Sequence, residues 1–244
     1  MHTVDAKEIE NFAKDSSHWW DEDGPFRPLH RLNPVRLQYI KDRICDAHGR
    51  DPRDLKPYKG LSILDVGCGG GLVCEPMARL GAEVTGVDAD ANAVAVAKAH
   101  AADGGLDITY KNASSEELVK DGKRFDVVLA LEIVEHVADV DEFVRNCVDL
   151  CAPGGIIVFS TLNRTAKSFV LGKIAAEYIL GWVPAGTHDW KKFLKPSELA
   201  GAVRAAGADV RNIEGMVFDP ARRNFKRSAR DLDVNYFMTA GKNA

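Results

Sequence analysis

The stretch that most constrains the fold runs from Leu61 to Asp88 and combines two apolar runs with a cluster of glycines. The first apolar run, 61–66, is short and rich in branched residues, which is typical of a buried strand. Glycines crowd positions 67–71, an apolar helical pattern follows over 72–80, and a second strand pattern covers 82–87. This order predicts a strand–loop–helix–strand unit of an α/β fold, with glycines at the first turn and an acid at the tip of the second strand.

The glycine loop predicts a nucleotide-like ligand, because glycine lets the backbone close on a ligand that a side chain would keep away. Asp88 lies 21 positions after Gly67, where such folds place a carboxylate that accepts hydrogen bonds from ribose hydroxyls. The dinucleotide pattern G-x-G-x-x-G needs glycine where this chain has Leu72, and no Gly-Lys-Ser/Thr of a phosphate-binding loop follows. A dehydrogenase is therefore disfavoured, while a structural glycine turn in another α/β protein stays open.

The run Asp65-Val66-Gly67-Cys68-Gly69-Gly70-Gly71 resembles the E/D-x-G-x-G-x-G motif of S-adenosylmethionine-dependent methyltransferases. In those enzymes the loop admits the methionine end of the cofactor, and the acid on the second strand binds the ribose. The resemblance implies that S-adenosylmethionine is the cofactor and that Asp65, Gly67, Gly69 and Asp88 contact it.

The composition fits one sizeable globular domain with additions. The chain has 244 residues and a formal net charge of −4, which disfavours a nucleic-acid partner held by bulk electrostatics. Five cysteines include no C-x-x-C pair, so we expect reduced thiols and a cytoplasmic location. The chain shows no signal peptide and no run of about 18 apolar residues that would predict a membrane span.

A segment dense in aromatic residues and prolines, 17–36, precedes the glycine loop. It contains Trp19, Trp20 and Phe26, and its prolines predict extended or turn geometry rather than a regular element. Aromatic residues concentrated in an ordered loop are typical of a surface that lines or covers an apolar ligand. An arm that only packs against the sheet is the alternative.

This segment also has a closer resemblance. The runs Trp19-Trp20-Asp21, Gly24-Pro25-Phe26, Pro28-Leu29-His30 and Asn33-Pro34-Val35-Arg36-Leu37 are similar to the ubiquinone-biosynthesis O-methyltransferase family, and the similarity continues nearly to the C-terminus. That family methylates catechol-type hydroxyls of polyprenylated precursors such as 2-polyprenyl-6-hydroxyphenol and 3-demethylubiquinol. The resemblance implies a class I, Rossmann-like α/β fold: a seven-stranded, mostly parallel sheet with helices on both faces. We expect a helical arm over 1–59 that covers substrate and cofactor, and a methyltransferase domain over 60–244.

The resemblance adds three residues to the expected cofactor site. The guanidinium of Arg36 would hold the cofactor carboxylate by paired hydrogen bonds; a surface arginine on a helix over 33–47 is the alternative. Ala113 follows the third strand, where methyltransferases of this fold contact the adenine. Leu131, at the end of the fourth strand, is expected to lie against the cofactor, although a plain core leucine explains it equally well.

Glu132, Glu135 and His136 follow a predicted strand over 125–131. Ligands of open α/β sheets bind at the carboxyl ends of the strands, and a helical turn starting at Glu132 would place the three side chains on one face. Two carboxylates and an imidazole suit Mg²⁺, Mn²⁺ or Zn²⁺. The resemblance favours a divalent ion here, Mg²⁺ above all, with Glu135 and His136 catalytic. Two alternatives stay open: acids that only meet a helix dipole, and His136 acting directly as a general base.

An insertion of about 30 residues, 163–195, separates the fifth strand from the next helix. Its apolar part, Ser168–Val183, is too short and interrupted to span a bilayer but suits an interfacial helix with lysines reaching to the headgroups. We expect a lid that touches the membrane surface and admits a prenyl tail, in a protein peripherally associated with the inner membrane. A ubiquinone-biosynthesis complex is a further expected partner. An amphipathic helix packed on the domain is the alternative.

Together these features predict an O-methyltransferase that moves a methyl group from S-adenosylmethionine to a catechol-type hydroxyl of a ubiquinone precursor. A methyltransferase for another small phenolic substrate would share the glycine loop but leave the Trp-Trp arm unexplained. A non-catalytic cofactor-binding subunit of a lipid-synthesis complex could dispense with the acids and histidine after the fourth strand.

Overall fold

The computed structural model describes residues 3–5, 8–9, 13–170, 190–219, 221 and 224–243. The strands in these residues are β1 Ser62–Val66, β2 Glu83–Asp88, β3 Ile108–Asn112, β4 Phe125–Leu131, β5 Cys151–Leu162, β6 Ala208–Asp219, β7 Asn224–Ser228 and β8 Asn235–Lys242. They form one eight-stranded sheet in the order β3-β2-β1-β4-β5-β8-β6-β7. Strands β1 to β5 are parallel to their neighbours, whereas β8 is antiparallel to β5 and to β6, and β7 is antiparallel to β6.

Helices cover both faces of the sheet. They are α1 Arg27–His48, α2 Cys74–Arg79, α3 Ala91–Asp103, α4 Ser115–Lys120, α5 Val140–Leu150 and α6 Pro196–Ala205. Successive strand residues point to opposite faces, so Ile63 joins the core under α1, α2 and α3, while Leu64 joins the core under α4, α5 and α6. Burial on both faces explains why β4 is a continuous apolar run, and its bounds are those predicted. The predicted fold class is confirmed.

The sheet has one strand more than the seven predicted. The additional strand β7 has the sequence Asn-Phe-Lys-Arg-Ser and pairs only with β6, at the edge of the sheet. Edge strands carry charged residues that discourage pairing with other chains, and such a strand lacks the apolar run by which buried strands are recognised. The pairing of β7 with β6 depends on the tertiary structure, and the pattern of apolar residues in the sequence does not indicate it.

Helix α1 begins earlier than predicted. The sequence favoured irregular structure up to position 36 and a helix only over 33–47, whereas the helix starts at Arg27 and ends at His48, capped by Gly49 with φ +60. Pro28 occupies the first turn, where no hydrogen bond is lost, and Pro34 is tolerated inside the helix. The prediction that these two prolines impose extended geometry was wrong, because packing of the apolar face outweighs the loss of one hydrogen bond.

Helix α1 is fixed to the sheet by Tyr39. Its buried ring stacks on Phe237 with centroids 4.4 Å apart. Its hydroxyl lies 2.9 Å from Asn212 Oδ1, to which it donates, and 2.7 Å from Thr239 Oγ1. Because Arg36 precedes Tyr39 by one turn, this anchor also sets the position of the Arg36 guanidinium.

The insertion is described only at its ends, 163–170 and 190–195. The predicted interfacial helix, Ser168–Val183, therefore lies outside the described residues from position 171 onward. In the part of the chain that the structure describes, no helix has the length and apolar character needed to cross a membrane.

Candidate cofactor and catalytic site

The glycine loop turns sharply after β1 and folds back onto the end of β2. The amides of Gly67 and Cys68 both donate to the carbonyl of Val87, at 2.8 and 3.0 Å. Gly67 has φ +76 and Gly69 has φ +50, a left-handed conformation that favours glycine. A Cβ at position 67 would lie 2.2 Å from the side chain of Ile133. The glycine loop and the loop after β4 can therefore approach this closely only because residue 67 is a glycine.

Asp88 lies at the tip of β2, directly against the glycine loop. Its Oδ2 accepts from the amide of Gly69 at 2.8 Å, and its Oδ1 accepts from the amide of Asp90 at 2.8 Å. Burial raises the pKa of Asp88, and the two backbone hydrogen bonds offset part of that rise. The structure thus brings three of the predicted cofactor residues, Gly67, Gly69 and Asp88, to one place.

Asp65 is buried in β1 beneath the same loop and accepts from the Sγ of Cys74 at 3.4 Å. Burial raises its pKa to about 6, although the Cys74 hydrogen bond and the charge of Arg36 act in the opposite direction. The carboxyl group of Asp65 therefore takes up a proton at a higher pH than an exposed aspartate does.

Ala113 and Leu131 also lie at this edge. The amide of Ala113 donates to the carbonyl of Asp88 at 3.2 Å, and Asn112 donates through its side chain to the carbonyls of Asp88 and Ala89. Leu131 is buried at the carboxyl end of β4 and packs in the core under α1. Ala113 is thereby bound to the tip of β2, Leu131 is a core residue, and a contact of either residue with the cofactor stays a prediction.

Arg36 is buried, not a surface residue of its helix. Within the described residues its Nε and Nη2 have no hydrogen-bond partner, and Nη2 lies 3.7 Å from Glu132 Oε1. Burial lowers the pKa of Arg36 overall, and the nearby carboxylates of Glu132, Asp65 and Glu135 offset only part of that shift. Buried guanidinium donors without partners are costly, so the arrangement favours an anionic ligand such as a carboxylate.

Glu132 adopts a strained backbone conformation. Its φ is +52, and no other non-glycine residue in the described chain has a positive φ. Such strain costs about 1–3 kcal/mol and persists only where the surroundings impose it. Here the side chain accepts from Ser160 Oγ at 2.7 Å and from Asn235 Nδ2 at 3.2 Å. The helical turn that the sequence analysis considered from Glu132 begins two residues later, as a short 3-10 segment over Val134–His136.

Glu135 and His136 lie in that turn with different partners. Glu135 is buried, its Oε2 accepts from Thr161 Oγ1 at 2.8 Å, and its Oε1 has no partner within the described residues. Burial raises the pKa of Glu135 to about 7. His136 Nδ1 lies 3.1 Å from Glu8 Oε2. Burial tends to lower the pKa of His136, but the hydrogen bond to Glu8 and the charges of Glu135, Glu8 and Glu132 raise it overall.

The three predicted metal ligands therefore share one loop but have separate partners. Among the residues described, no group of three His, Cys, Asp or Glu side chains is arranged to hold a metal ion. The donor chemistry nevertheless suits a hard cation, and Glu135 offers one buried carboxylate oxygen without a partner. The metal site remains a prediction.

Aromatic side chains of the N-terminal arm cover the glycine loop. A Cβ at Gly69 or Gly70 would lie 2.4 Å from the Trp19 side chain, whose ring stacks on Phe26 with centroids 3.8 Å apart. Trp20 Nε1 donates to the carbonyl of Gly70 at 2.9 Å, and its ring stacks on His100 at 3.5 Å. That these aromatic residues line or cover an apolar ligand stays a prediction, and no local signal in the sequence indicates the stacking of Trp20 on His100.

The order of β1 to β5, the glycine loop after β1 and the acid at the tip of β2 define a class I methyltransferase. Residues 35–213 match a family model described as a methyltransferase domain. A magnesium protoporphyrin IX methyltransferase from Synechocystis, solved with bound S-adenosylhomocysteine, has the same fold, with a TM-score of 0.65 and 18% identity over 97% of each chain. At that identity the likeness concerns the fold alone.

Sequence relatives give the family. The chain is 48% identical over 240 residues to a Chelativorans protein named ubiquinone biosynthesis O-methyltransferase, covering 98% of this chain and 94% of that one. It is 51% identical over 234 residues to the protein of that name from Dinoroseobacter shibae, covering 96% and 94%. The chain belongs to the ubiquinone biosynthesis O-methyltransferase family, and the predicted family and enzyme class, an S-adenosylmethionine-dependent methyltransferase, are confirmed.

Burial of Asp65 predicts a pH dependence of stability. Because folding raises its pKa from 3.8 to about 6, this group stabilises the fold fully below pH 3.8, and its contribution is lost as the pH rises through about 6. Asp65→Asn does not ionise, so it should gain up to about 3 kcal/mol relative to the parent between pH 4 and pH 7. Urea unfolding at several pH values measures this. The exposed Asp54→Asn is the control, and an identical pH profile for Asp65→Asn and the parent would contradict the assignment.

Proposed function

We propose that this protein transfers a methyl group from S-adenosylmethionine to a catechol-type hydroxyl of a polyprenylated ubiquinone precursor, such as 2-polyprenyl-6-hydroxyphenol or 3-demethylubiquinol. The observation that carries the proposal is the close approach of the glycine loop to the loop after β4, where Gly67 lies against Ile133 between Glu132 and the pair Glu135 and His136. The names of the near full-length relatives support the substrate class.

Methyl transfer is an in-line displacement, so the main task of the protein is to align the two reactants. S-adenosylmethionine, when bound, supplies the electrophilic methyl group. Arg36 holds its carboxylate through the buried guanidinium donors, and Asp88 accepts from its ribose hydroxyls. Gly67 and Gly69 have no side chains and so leave room for the cofactor beside the loop. Asp65, Ala113 and Leu131 are the further residues that we place at the cofactor site.

The attacking phenolic oxygen must lose its proton before or during the transfer. His136 and Glu135 are placed for this, since both are largely buried at the carboxyl end of β4. We propose in addition that Glu132, Glu135 and His136 hold a divalent cation, Mg²⁺ first, whose chemistry is to lower the pKa of a bound catechol oxygen. If no ion binds, His136 takes the proton itself as a general base.

Residues 1–59 serve as a cover of the site in this proposal. Contacts from the arm reach several loops at the carboxyl edge of the sheet. Thr3 accepts from the amide of Ala138 at 2.8 Å, Ser16 donates to Asp90, and Trp19 lies on the glycine loop. Such a cover excludes water from the reacting groups, which strengthens every electrostatic interaction beneath it.

We further propose that the insertion contacts the membrane surface, in a protein that is cytoplasmic and peripherally associated with the inner membrane. Phe169 and Val170 support this, because they are 40% and 51% exposed and lead into the apolar stretch to Val183. Lys167 lies beside them. A ubiquinone-biosynthesis complex could dock on the same exposed pair.

The enzymatic proposal is tested by cofactor binding and turnover. S-adenosylhomocysteine should raise the melting temperature by mass action whereas NAD should not, and labelled S-adenosylmethionine should methylate a short-chain catechol analogue.

Asp88→Ala should weaken the binding of S-adenosylhomocysteine by roughly 1–3 kcal/mol, because polar partners lose their acceptor. Asp54→Ala is the exposed control. Unchanged affinity in Asp88→Ala removes this residue from the site, and cofactor binding without methylation favours the non-catalytic subunit.

The metal proposal predicts that chelation stops methyl transfer and that added Mg²⁺ restores it. Glu135→Gln removes a charge at nearly constant shape, so activity should fall while the affinity for S-adenosylhomocysteine persists. Glu142→Gln, at a half-buried glutamate in the first turn of α5 that pairs with Arg145, is the matched control. Full activity in excess chelator, measured below the pKa of the free catechol, would rule the metal out. In that case His136→Ala should still lower the rate by about 10²–10⁴-fold.

The membrane proposal predicts co-sedimentation with anionic liposomes. Replacing Phe169 and Val170 together by serine should weaken it, and deleting Ser168–Val183 should abolish it, while cofactor binding is retained in both because the glycine loop is elsewhere. Leu55→Ser is the control, since Leu55 is 91% exposed but lies far along the chain. If the intact protein never sediments, or the deletion variant still does, this segment is not a membrane anchor.

A further inference from the structure

Glu8, near the start of the N-terminal arm, forms an ion-pair contact with His136 in the loop after β4. Glu8 Oε2 lies 3.1 Å from His136 Nδ1, although 128 positions separate the residues in the chain. Both side chains are largely withdrawn from solvent, with 20% of Glu8 and 13% of His136 exposed. The contact therefore places a carboxylate behind a histidine of the proposed catalytic loop.

The other oxygen of Glu8 has its own partner. Lys192 Nζ donates to Glu8 Oε1 at 2.9 Å and to Asp5 Oδ2 at 3.2 Å. An ammonium group can only donate, so Oε1 is committed to Lys192 and Oε2 is turned toward the imidazole. The carboxylate is thereby held in one orientation by groups on both sides.

The chemistry of this contact decides where the proton of a neutral His136 lies. An ionised carboxylate only accepts hydrogen bonds, so Nδ1 must carry the hydrogen that it donates to Glu8. The lone pair is then on Nε2. Carboxylate–histidine pairs fix the tautomer and the ring orientation in this way both where histidine ligates a metal and where it acts as a base.

We propose that Glu8 is a positioning residue of the methyl-transfer site, which holds His136 in the Nδ1-protonated tautomer and so presents Nε2 as the reactive nitrogen. The inference rests on the proposed role of His136, but it applies to either mechanism, since a base and a metal ligand both need that lone pair. It also assigns the arm a chemical contribution beyond covering the site.

The arm does not depend on Glu8 for its placement. Thr3 accepts from the amide of Ala138 on one side of Glu8, and Ser16 donates to Asp90 on the other. Trp20 is bound to Gly70 farther along. Substitution of Glu8 should therefore leave the arm docked, and the orientation of His136 can be tested apart from the fold.

Glu8→Gln is the informative variant because an amide has one acceptor oxygen where the carboxylate has two. If that oxygen stays with Lys192, the amide NH₂ faces Nδ1, which must then accept, and the proton moves to Nε2. Glu8→Ala removes the partner altogether. Asp5→Asn is the matched control, since it alters the other acceptor of Lys192 without touching His136.

The test combines a spectroscopic and a kinetic measurement on the full chain. Ring ¹⁵N signals of His136, assigned with His136→Ala and recorded in chelator at a pH above the raised pKa of His136, should show the Nδ1-protonated tautomer in the parent and in Asp5→Asn. They should shift toward the Nε2-protonated form in Glu8→Gln and Glu8→Ala. The same two variants should lose about 10–100-fold in kcat with little change in the KM for S-adenosylmethionine.

Unchanged ring signals in both Glu8 variants would overturn the proposal, as would an equal loss of kcat in Asp5→Asn. The tautomer is measured in the absence of substrate, so the result is informative even if the protein methylates no catechol. If the parent is active and the tautomer is unaltered in the variants, the positioning role of Glu8 is rejected and the proposed function stands. If the parent is inactive but the tautomer shifts as expected, only the proposed substrate is rejected.

Discussion

The parallel register of β1 between β2 and β4 is the constraint on which the site depends. Val66 pairs with Val87 and Asp65 with Leu129, so the three strands end at nearly the same level. The loops that follow must then meet at one edge of the sheet. The space there is so limited that Gly67 approaches Ile133 to a distance that admits no side chain. The glycine loop and the loop after β4 are adjacent for that reason.

Buried charge is concentrated at this edge and is only partly compensated. Arg36 has donors without partners in the described chain, Glu135 has one unpartnered oxygen, and Glu132 is held in a left-handed conformation. Each of these features lowers the free energy of unfolding, and a core of apolar residues would avoid all of them. Their coincidence at the ends of β1 and β4 is what a site prepared for a charged ligand requires.

The N-terminal arm completes the site from the other side. Aromatic rings at positions 19 and 20 lie against the glycine loop, while Glu8 reaches the imidazole of His136. The arm thus contacts both the glycine loop and the loop after β4. Because α1 is anchored by Tyr39 and by the pairing of Arg227 with Asp42 and Glu214, the arm starts from a fixed point on the sheet.

The sequence by itself determined the features that depend on neighbouring residues. The bounds of β4, the glycine loop and the acid at the tip of β2 follow from apolar runs, glycine spacing and the geometry of parallel strands, and the family could be recognised from the motifs around Trp19 and Arg36. Only the tertiary structure decided the rest. The left-handed conformation of Glu132, the edge strand β7, the seating of Trp19 on Gly69 and the contact of Glu8 with His136 all arise from residues distant in the chain. Their free energies come from packing and from buried polar pairs, which leave no periodic trace in a single sequence.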